Sequence, residues 1–196
     1  MRDTPRRSHV LTLVSSAVLV CAVTGSARAD EQAYHAGNRT RGLIGGWAHS
    51  WRPIFGQTRS DIAFGAAVPR MGWFITDWGE LYGEANLFVY HSPQPAIAAG
   101  VGALAGRYYL KNSGGWIPYV LGGGGLIWTS LDVPEIDRVA NFQLFFGVGW
   151  RQNRPSGPCL VFEFRNHHIS NAGTAGENRG INAATVLTGV EWVLRP

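Results

Sequence analysis

The chain has 196 residues, with 17 lysines and arginines against 13 aspartates and glutamates, 26 glycines, eight tryptophans and two cysteines. A hydrophobic fraction of 45% excludes a disordered chain, and two cysteines cannot build a disulfide-stapled mini-protein or a four-cysteine zinc site. Charged residues make up 15% of the chain, below the roughly 25% of soluble globular domains, and the length suits a single domain.

The first segment has the pattern of an export signal. Three arginines precede an apolar run from Val10 to Val23, and Ser26-Ala27-Arg28-Ala29 ends it with an A-x-A cleavage site. The run is shorter than the ~20 residues that a membrane-spanning helix needs. We therefore predict a cleaved signal peptide over residues 1–29 and one domain over residues 30–196. The mature chain then has 13 basic and 12 acidic residues, which leaves no basic excess for a nucleic-acid partner.

Eight short segments with period-two alternation follow the signal, separated by glycine, proline, asparagine and serine. They lie at about residues 39–49, 61–75, 79–90, 96–110, 116–129, 141–151, 159–169 and 183–194. Each is long enough for a tilted transmembrane strand, and eight is the smallest strand number of bacterial outer-membrane barrels.

One face of each segment is apolar and the other carries the charges. In 141–151 the even positions are all apolar: Phe142, Leu144, Phe146, Val148 and Trp150. This alternation fits both a soluble barrel with an apolar lumen and a membrane barrel with an apolar exterior.

Charge and aromatic placement favour the membrane barrel. Aromatic residues that fall near the predicted strand ends suggest interfacial girdles: Trp73, Trp78, Tyr90, Trp116, Trp128 and Trp150. The residues predicted to line the lumen carry both signs and could form ion pairs: Glu84, Arg151, Glu163, Arg165 and Glu191. We predict an all-β, eight-stranded antiparallel transmembrane barrel in the bacterial outer membrane.

Chemistry-bearing residues cluster at the end of the seventh segment. The face predicted to meet lipid includes Leu160, Phe162, Phe164, Asn166, His168 and Ser170. Because residues two apart on a strand are same-face neighbours, His168 could act as base for a Ser170 nucleophile in acyl transfer. With both barrel termini periplasmic, the pair would meet outer-leaflet lipid at the extracellular rim. A His-x-Ser spacing by itself is more typical of a polar loop start, with Ser170 and Asn171 as turn residues.

The longer string around this pair resembles a known family. His168-Ile169-Ser170-Asn171-Ala172-Gly173, followed by Asn178-x-Gly180-Ile181, closely resembles the motif region of the PagL family of outer-membrane lipid A 3-O-deacylases. The resemblance implies an eight-stranded barrel with a serine–histidine–acid triad on its lipid-facing exterior. His168 would be the base and Ser170 the nucleophile. Asn171, with Gly173 and Asn178, would contribute to the oxyanion site or position the substrate.

The third member of the implied triad departs from the family pattern. The family has a glutamate twelve residues after the serine, where this chain has Asn182. The outer-membrane phospholipase A family has a similar His-x-Ser, a similar twelve-residue step and an asparagine, which makes Asn182 a candidate for orienting His168. That family builds a twelve-stranded barrel, larger than this chain comfortably supplies. Glu177 is the alternative orienting acid.

The expected function is therefore an outer-membrane serine esterase that removes the 3-O-linked acyl chain from lipid A of lipopolysaccharide. No metal or other cofactor is expected, because no histidine has partners at ligand spacing. The partner would be lipid A in the outer leaflet, and a homodimer stays open as the assembly state. Two alternatives also stay open: a phospholipase that uses the same Ser-His-Asn site, and a non-catalytic adhesion or structural barrel in which Asn182 marks lost activity.

Overall fold

The computed structural model describes residues 34–52, 58–110, 115–154 and 157–196, so the predicted signal peptide lies outside the described residues. Antiparallel strands form a closed barrel in chain order, and the last strand pairs with the first. The strands are β1 (Arg39–Ser50), β2 (Ala63–Phe74), β3 (Gly79–Ser92), β4 (Ala96–Tyr109), β5 (Trp116–Thr129), β6 (Ala140–Gln152), β7 (Pro158–Ser170) and β8 (Ile181–Leu194). The predicted eight-stranded barrel is confirmed. Nowhere in the described ranges is there a helix long and apolar enough to cross a membrane.

Alternate residues of each strand face the lumen and the outside, as the pleat of a β-strand requires. On β6 the outward residues Phe142, Leu144 and Phe146 are 44%, 58% and 63% exposed, whereas Gln143 and Phe145 between them are buried. Lipid favours an apolar outer surface, and barrel closure leaves no strand edge with unpaired backbone groups. The apolar face predicted from the alternation is therefore the exterior of the barrel.

The middle of the lumen holds a charge-balanced cluster of arginine and glutamate side chains, each at most 4% exposed: Arg70, Arg107, Arg151, Arg165, Glu80, Glu84, Glu163 and Glu191. Arg165 donates to both carboxylate oxygens of Glu84 at 2.8 and 3.0 Å, and its Nε donates to Glu163 at 2.7 Å. Arg70 meets the other oxygen of Glu163 at 2.8 Å. The pairing offsets the cost of removing these charges from water. All five charges predicted for the lumen belong to this ion-pair cluster.

Two members of the predicted aromatic girdles lie elsewhere. Tyr90 is 1% exposed and faces the lumen, where its ring centroid lies 5.0 Å from that of Phe64. Tyr90 occupies an even position of β3 and therefore lies on the same face as Glu84. The alternation, and not the nearness to the strand end, determines where its side chain points. Trp78 is half-buried and packs against the lumen cluster of apolar residues. The other predicted girdle residues, Trp73, Trp116, Trp128 and Trp150, are 39–58% exposed on the outside.

Four connections lie at one end of the barrel, which we call the loop end: β1–β2, β3–β4, β5–β6 and β7–β8. Apolar side chains close the lumen beneath these connections, among them Phe64, Phe88, Ile136 and Ile181. An isolated bridge joins Ile136 in the β5–β6 connection to Asn178 in the β7–β8 connection. The predicted site residues all lie at this loop end.

Candidate active site

The β7–β8 hairpin brings His168 and Asn182 together on the outer face of the barrel. The two residues are direct cross-strand partners, and His168 Nδ1 lies 3.0 Å from Asn182 Oδ1. An amide oxygen only accepts hydrogen bonds, so Nδ1 carries the proton and donates it to Oδ1. Nε2 then holds the free lone pair, which is the form of imidazole that acts as a base.

Ser170 ends β7 on the same face, two residues beyond His168. Both side chains are half-buried, and Ser170 lies opposite Phe142 of β6. Among the described residues no hydrogen bond joins Ser170 to His168. Such bonds between catalytic groups are often long in free enzymes and shorten when substrate binds. The strand therefore places nucleophile and base candidates side by side without yet joining them.

Asn171 organises the connection that follows β7. Its buried side chain donates from Nδ2 to the carbonyl oxygens of Ala175 at 2.9 Å and Glu177 at 3.1 Å, and its Oδ1 accepts the N–H of Gly173 at 2.8 Å. Its own N–H donates to Asn178 Oδ1 at 3.0 Å. Both ends of the Asn171 amide are thus engaged within the loop. In this conformation the side chain holds the loop in shape, and a contribution of Asn171 to the oxyanion site stays a prediction.

A tight turn directly after Ser170 contains a strained residue. Ala172 and Gly173 have φ values of +54° and +73°, and the N–H of Thr174 donates to the carbonyl oxygen of Asn171 at 3.1 Å. Two positive φ values are typical of a type I′ turn, and alanine in this region costs roughly 1–2 kcal/mol. The Ala172 N–H and the Asn178 Nδ2 make no hydrogen bond to any residue that the structure describes, and both residues are exposed. They are donors available on the solvent side of the loop.

The alternative acid does not reach the histidine. The Glu177 carboxylate is exposed and pairs with Arg179, two residues further along the loop. His168 Nδ1 is taken by Asn182. Of the two candidates for orienting His168, the structure brings only Asn182 to it.

Residues of the β1–β2 connection complete the surroundings of Asn182. The backbone N–H of Asn182 donates to Thr58 Oγ1 at 2.8 Å, and its carbonyl oxygen accepts the N–H of Trp51 at 3.1 Å. Trp51 Nε1 donates to Asn166 Oδ1 at 2.8 Å and covers that outward-facing amide. Sequence reasoning missed Thr58 and Trp51, because they lie more than 100 residues before the motif in a segment without periodicity.

Glu135 joins three connections at the loop end. Its Oε1 accepts the N–H groups of Arg59 at 2.7 Å and Ser60 at 2.6 Å, its Oε2 accepts the Ser60 hydroxyl at 2.8 Å, and its carbonyl oxygen accepts the N–H of Gly180 at 3.1 Å. Burial alone would raise the pKa of this carboxyl, but the hydrogen bonds from Ser60 and Arg59 outweigh it and hold the pKa below its usual value. The carboxylate therefore contributes stability at neutral pH, which is lost as the pH falls through the lowered pKa.

The described residues include no group of three or more histidine, cysteine, aspartate or glutamate side chains placed to hold a metal ion. Cys159 is a buried free thiol on the lumen side of β7, away from the outward-facing motif. The β7–β8 hairpin therefore places the Ser170 hydroxyl, the His168 imidazole and the Asn182 amide on the outer face.

The chain matches one family of known proteins. The profile of the family described as Lipid A 3-O-deacylase (PagL) matches residues 47–191, which begin in β1 and end in β8. The matched range contains His168, Ser170 and Asn182 together with Thr58 and Glu135. Among curated proteins no sequence matches the chain.

Solved outer-membrane proteins resemble the barrel. The crystal structure of the outer-membrane enzyme PagL is 17% identical, with 77% of this chain and 97% of that chain covered and a TM-score of 0.49. The crystal structure of the outer-membrane protein OprG from Pseudomonas aeruginosa is 11% identical, with 85% and 100% covered and a TM-score of 0.52. The solid-state NMR structure of AlkL in lipid bilayers is 13% identical, with 89% and 98% covered and a TM-score of 0.48. At these identities the likeness concerns the fold alone.

Proposed function

Because the chain belongs to the PagL family of lipid A 3-O-deacylases, we propose that it is an outer-membrane serine esterase that removes the 3-O-linked acyl chain from lipid A of lipopolysaccharide. The observation that carries this proposal is the hydrogen bond from His168 to Asn182, beside Ser170, on the apolar outer face of the barrel. The loop end then lies on the extracellular side, where the acyl esters of lipid A meet the protein.

In the proposed reaction Ser170 Oγ attacks the carbonyl carbon of the 3-linked ester while its proton passes to His168 Nε2. Asn182 Oδ1 holds the Nδ1–H of the ring and stabilises the imidazolium, although less than a carboxylate would. The bond between the acyl carbon and the 3-oxygen of the sugar then breaks, and the imidazolium gives its proton to the departing 3-oxygen. Water, activated by the same Nε2, releases the fatty acid from Ser170.

The oxyanion of the tetrahedral intermediate needs hydrogen-bond donors that are already in place. The Ala172 N–H and the Asn178 Nδ2 are candidate donors in the loop: the turn after β7 fixes Ala172, and the hydrogen bond from the Asn171 N–H to Asn178 Oδ1 holds the Asn178 amide. Gly173 and Asn171 would act by holding this loop, since their polar groups are bonded to each other.

The neighbouring strand offers an apolar path for the acyl chain. Phe142 and Leu144 of β6 are paired in register with Ser170 and His168, and both point outward. A cavity of about 190 Å³ next to Phe142 is apolar on one side, with Leu126 and Trp128, and is also lined by Arg138. This lining is complementary to an acyl chain attached to a phosphorylated sugar, with the chain against the apolar residues and the phosphate against the Arg138 guanidinium.

The test is mass spectrometry of lipid A from outer membranes that contain the wild type or Ser170→Ala. We expect the wild type alone to remove the mass of one 3-linked acyl chain. Ser130→Ala, which alters an exposed hydroxyl of the β5–β6 connection, serves as the control and should behave like the wild type. Unchanged lipid A with the wild type would contradict the proposal and leave the phospholipase and the non-catalytic barrel as the alternatives.

The substrate could instead be a glycerophospholipid, because Asn182 occupies the place that resembles the outer-membrane phospholipase A pattern. In that case the same membranes would contain lysophospholipid and free fatty acid with unaltered lipid A. Loss of these products in Ser170→Ala would assign Ser170 as the nucleophile for the second substrate.

Gly180→Ala is expected to disturb the base directly. A Cβ at this position would lie 2.6 Å from His168 Cε1 and 3.2 Å from Nε2, at a φ of +71°. Because a displacement of about 1 Å can cost 10²-fold in rate, we expect kcat/KM for lipid A to fall by about this factor.

The control for this variant is Gly157→Ala at the opposite end of the barrel, where φ is +78° and no atom lies within 4 Å of the added Cβ. It imposes the same kind of backbone strain without touching His168, so it should keep wild-type rates. The heat-modifiable gel mobility of folded barrels checks that both variants fold. Equal losses in the two variants would show that strain, and not contact with the ring, is responsible.

A further inference from the structure

We propose that Thr58 is a positioning residue that fixes the amide of Asn182 in the orientation that keeps His168 competent as a base. This inference deepens the proposed function and rests on it for the catalytic consequence. It adds a residue from the β1–β2 connection to a site that otherwise lies within one hairpin.

An asparagine in the orienting position has a difficulty that a carboxylate does not have. Both ends of a carboxylate accept hydrogen bonds, whereas an amide has one accepting oxygen and one donating nitrogen of nearly equal shape. If Asn182 turned over, Nδ2 would face His168 Nδ1 and donate to it. The ring proton would then sit on Nε2, and Ser170 would have no base to take its proton. A chain with asparagine here therefore needs a group that distinguishes the two ends of the amide.

The Thr58 hydroxyl supplies that distinction, because its hydrogen-bonding capacity is used up in one arrangement. A hydroxyl donates once and accepts twice. Thr58 Oγ1 donates to the carbonyl oxygen of Gly180 at 3.2 Å and accepts from Asn182 twice, from the backbone N–H at 2.8 Å and from Nδ2 at 3.4 Å. No proton is left for the Asn182 amide oxygen at this side, so Oδ1 is left for His168.

The opposite orientation would have an energetic cost. With Oδ1 turned towards Thr58, two oxygens would face each other unless the hydroxyl proton left the carbonyl oxygen of Gly180. Thr58, Gly180 and Asn182 are all buried, so either choice leaves a polar group without a partner and away from water. The observed orientation satisfies all three residues together.

Thr58 is itself held from both sides. The N–H groups of the next two residues, Arg59 and Ser60, donate to Glu135. The same glutamate accepts the N–H of Gly180 through its carbonyl oxygen. Glu135 therefore holds both the segment that follows Thr58 and Gly180, whose carbonyl oxygen accepts the Thr58 hydroxyl proton. Thr58 is 3% exposed, so its hydroxyl cannot turn away to water without breaking these contacts.

The decisive experiment is a double-mutant cycle between Thr58→Val and Asn182→Asp. Valine removes the hydroxyl and keeps the shape, and aspartate removes the difference between the two ends of the side chain. We expect Thr58→Val to lower kcat/KM for lipid A by about 10-fold where Asn182 is retained, as if about a tenth of the molecules kept the competent orientation. In the Asn182→Asp background the same change should cost less than about 3-fold.

Thr58→Ser, which keeps the hydroxyl, is the matched control and should retain wild-type activity. A merely structural Thr58 would give the same loss in both backgrounds, since valine leaves Gly180 unsatisfied in each. Equal losses, or no loss in either background, would overturn the proposal.

The tautomer of His168 provides a measurement that does not depend on catalysis. The ¹⁵N chemical shifts of the imidazole, assigned by comparison with His168→Gln, should show the Nδ1–H form in the wild type and a gain of the Nε2–H form in Thr58→Val. This measurement separates the two ideas: a barrel without activity on any lipid would remove the proposed function, while the tautomer shift would still support the positioning role of Thr58. An Nε2–H form in the wild type would overturn it even if Thr58→Val did not fold.

Discussion

His168→Ala and Ser170→Ala should each lower kcat/KM for lipid A by about 10⁴-fold, and the double variant should lose little more than either single variant. The physical reason is that the two groups act as a unit: the serine is a weak nucleophile without a base, and the base has nothing to activate without the serine. Their adjacent, same-face positions at the end of β7 provide the geometry for this.

The measurement is the initial rate of fatty-acid release by purified protein in lipid A-containing micelles. Folded barrel is quantified by its heat-modifiable mobility, so that the rates refer to equal amounts of native protein. Losses that multiply in the double variant would indicate that His168 and Ser170 act in separate steps, and the proposed mechanism would then be wrong.

Arg165→Met should lower the free energy of unfolding by about 3–5 kcal/mol, because removal of one partner leaves uncompensated charge in the buried ion-pair cluster. Arg165 pairs with both Glu84 and Glu163, and all three side chains are at most 1% exposed. Methionine has a similar length and fills the space, so the loss reports the charge and not a cavity. Urea unfolding followed by tryptophan fluorescence measures the effect.

Two companion variants define the origin of that loss. Arg154→Met, at the β6–β7 connection outside the cluster, should change stability by no more than about 0.5 kcal/mol. Adding Glu84→Gln to Arg165→Met should restore part of the lost stability, because it removes the charge of Glu84, whose ion pair with Arg165 is lost, whereas Glu163 still pairs with Arg70. Wild-type stability of Arg165→Met would show that water reaches the cluster and screens its charges.

The strands and their faces could be predicted because each depends on a local pattern. Period-two alternation placed every strand end within two residues, and the low charge and the aromatic placement then put Phe142 outside and Glu163 inside. The prediction for Tyr90 was wrong because its position near a strand end suggested a girdle, although its even position already indicated the lumen. Where the two signals disagree, the alternation decides, because a one-residue slip would turn the whole strand over.

The surroundings of the site could not be predicted in the same way. The family resemblance, which places an orienting residue twelve residues after the serine, predicted Asn182 as a partner for His168, and the hairpin register brings the two together. Nothing in the sequence near Thr58 indicated that its hydroxyl would meet Asn182, a contact across 124 residues that exists only in the closed barrel. The interior position of the Asn171 side chain also depends on the path of the loop, which a motif does not specify.

The contact between the β1–β2 connection and Asn182 also orders events during barrel assembly. The His168–Asn182 pair can form within the last hairpin alone, but Trp51 and Thr58 reach Asn182 only after β1 has paired with β8. A chain that is still open at this seam can pair His168 with Asn182 but lacks the Thr58 hydroxyl that fixes the orientation of the Asn182 amide. Full esterase activity would then be reached only at seam closure, when the β1–β2 connection meets the last hairpin.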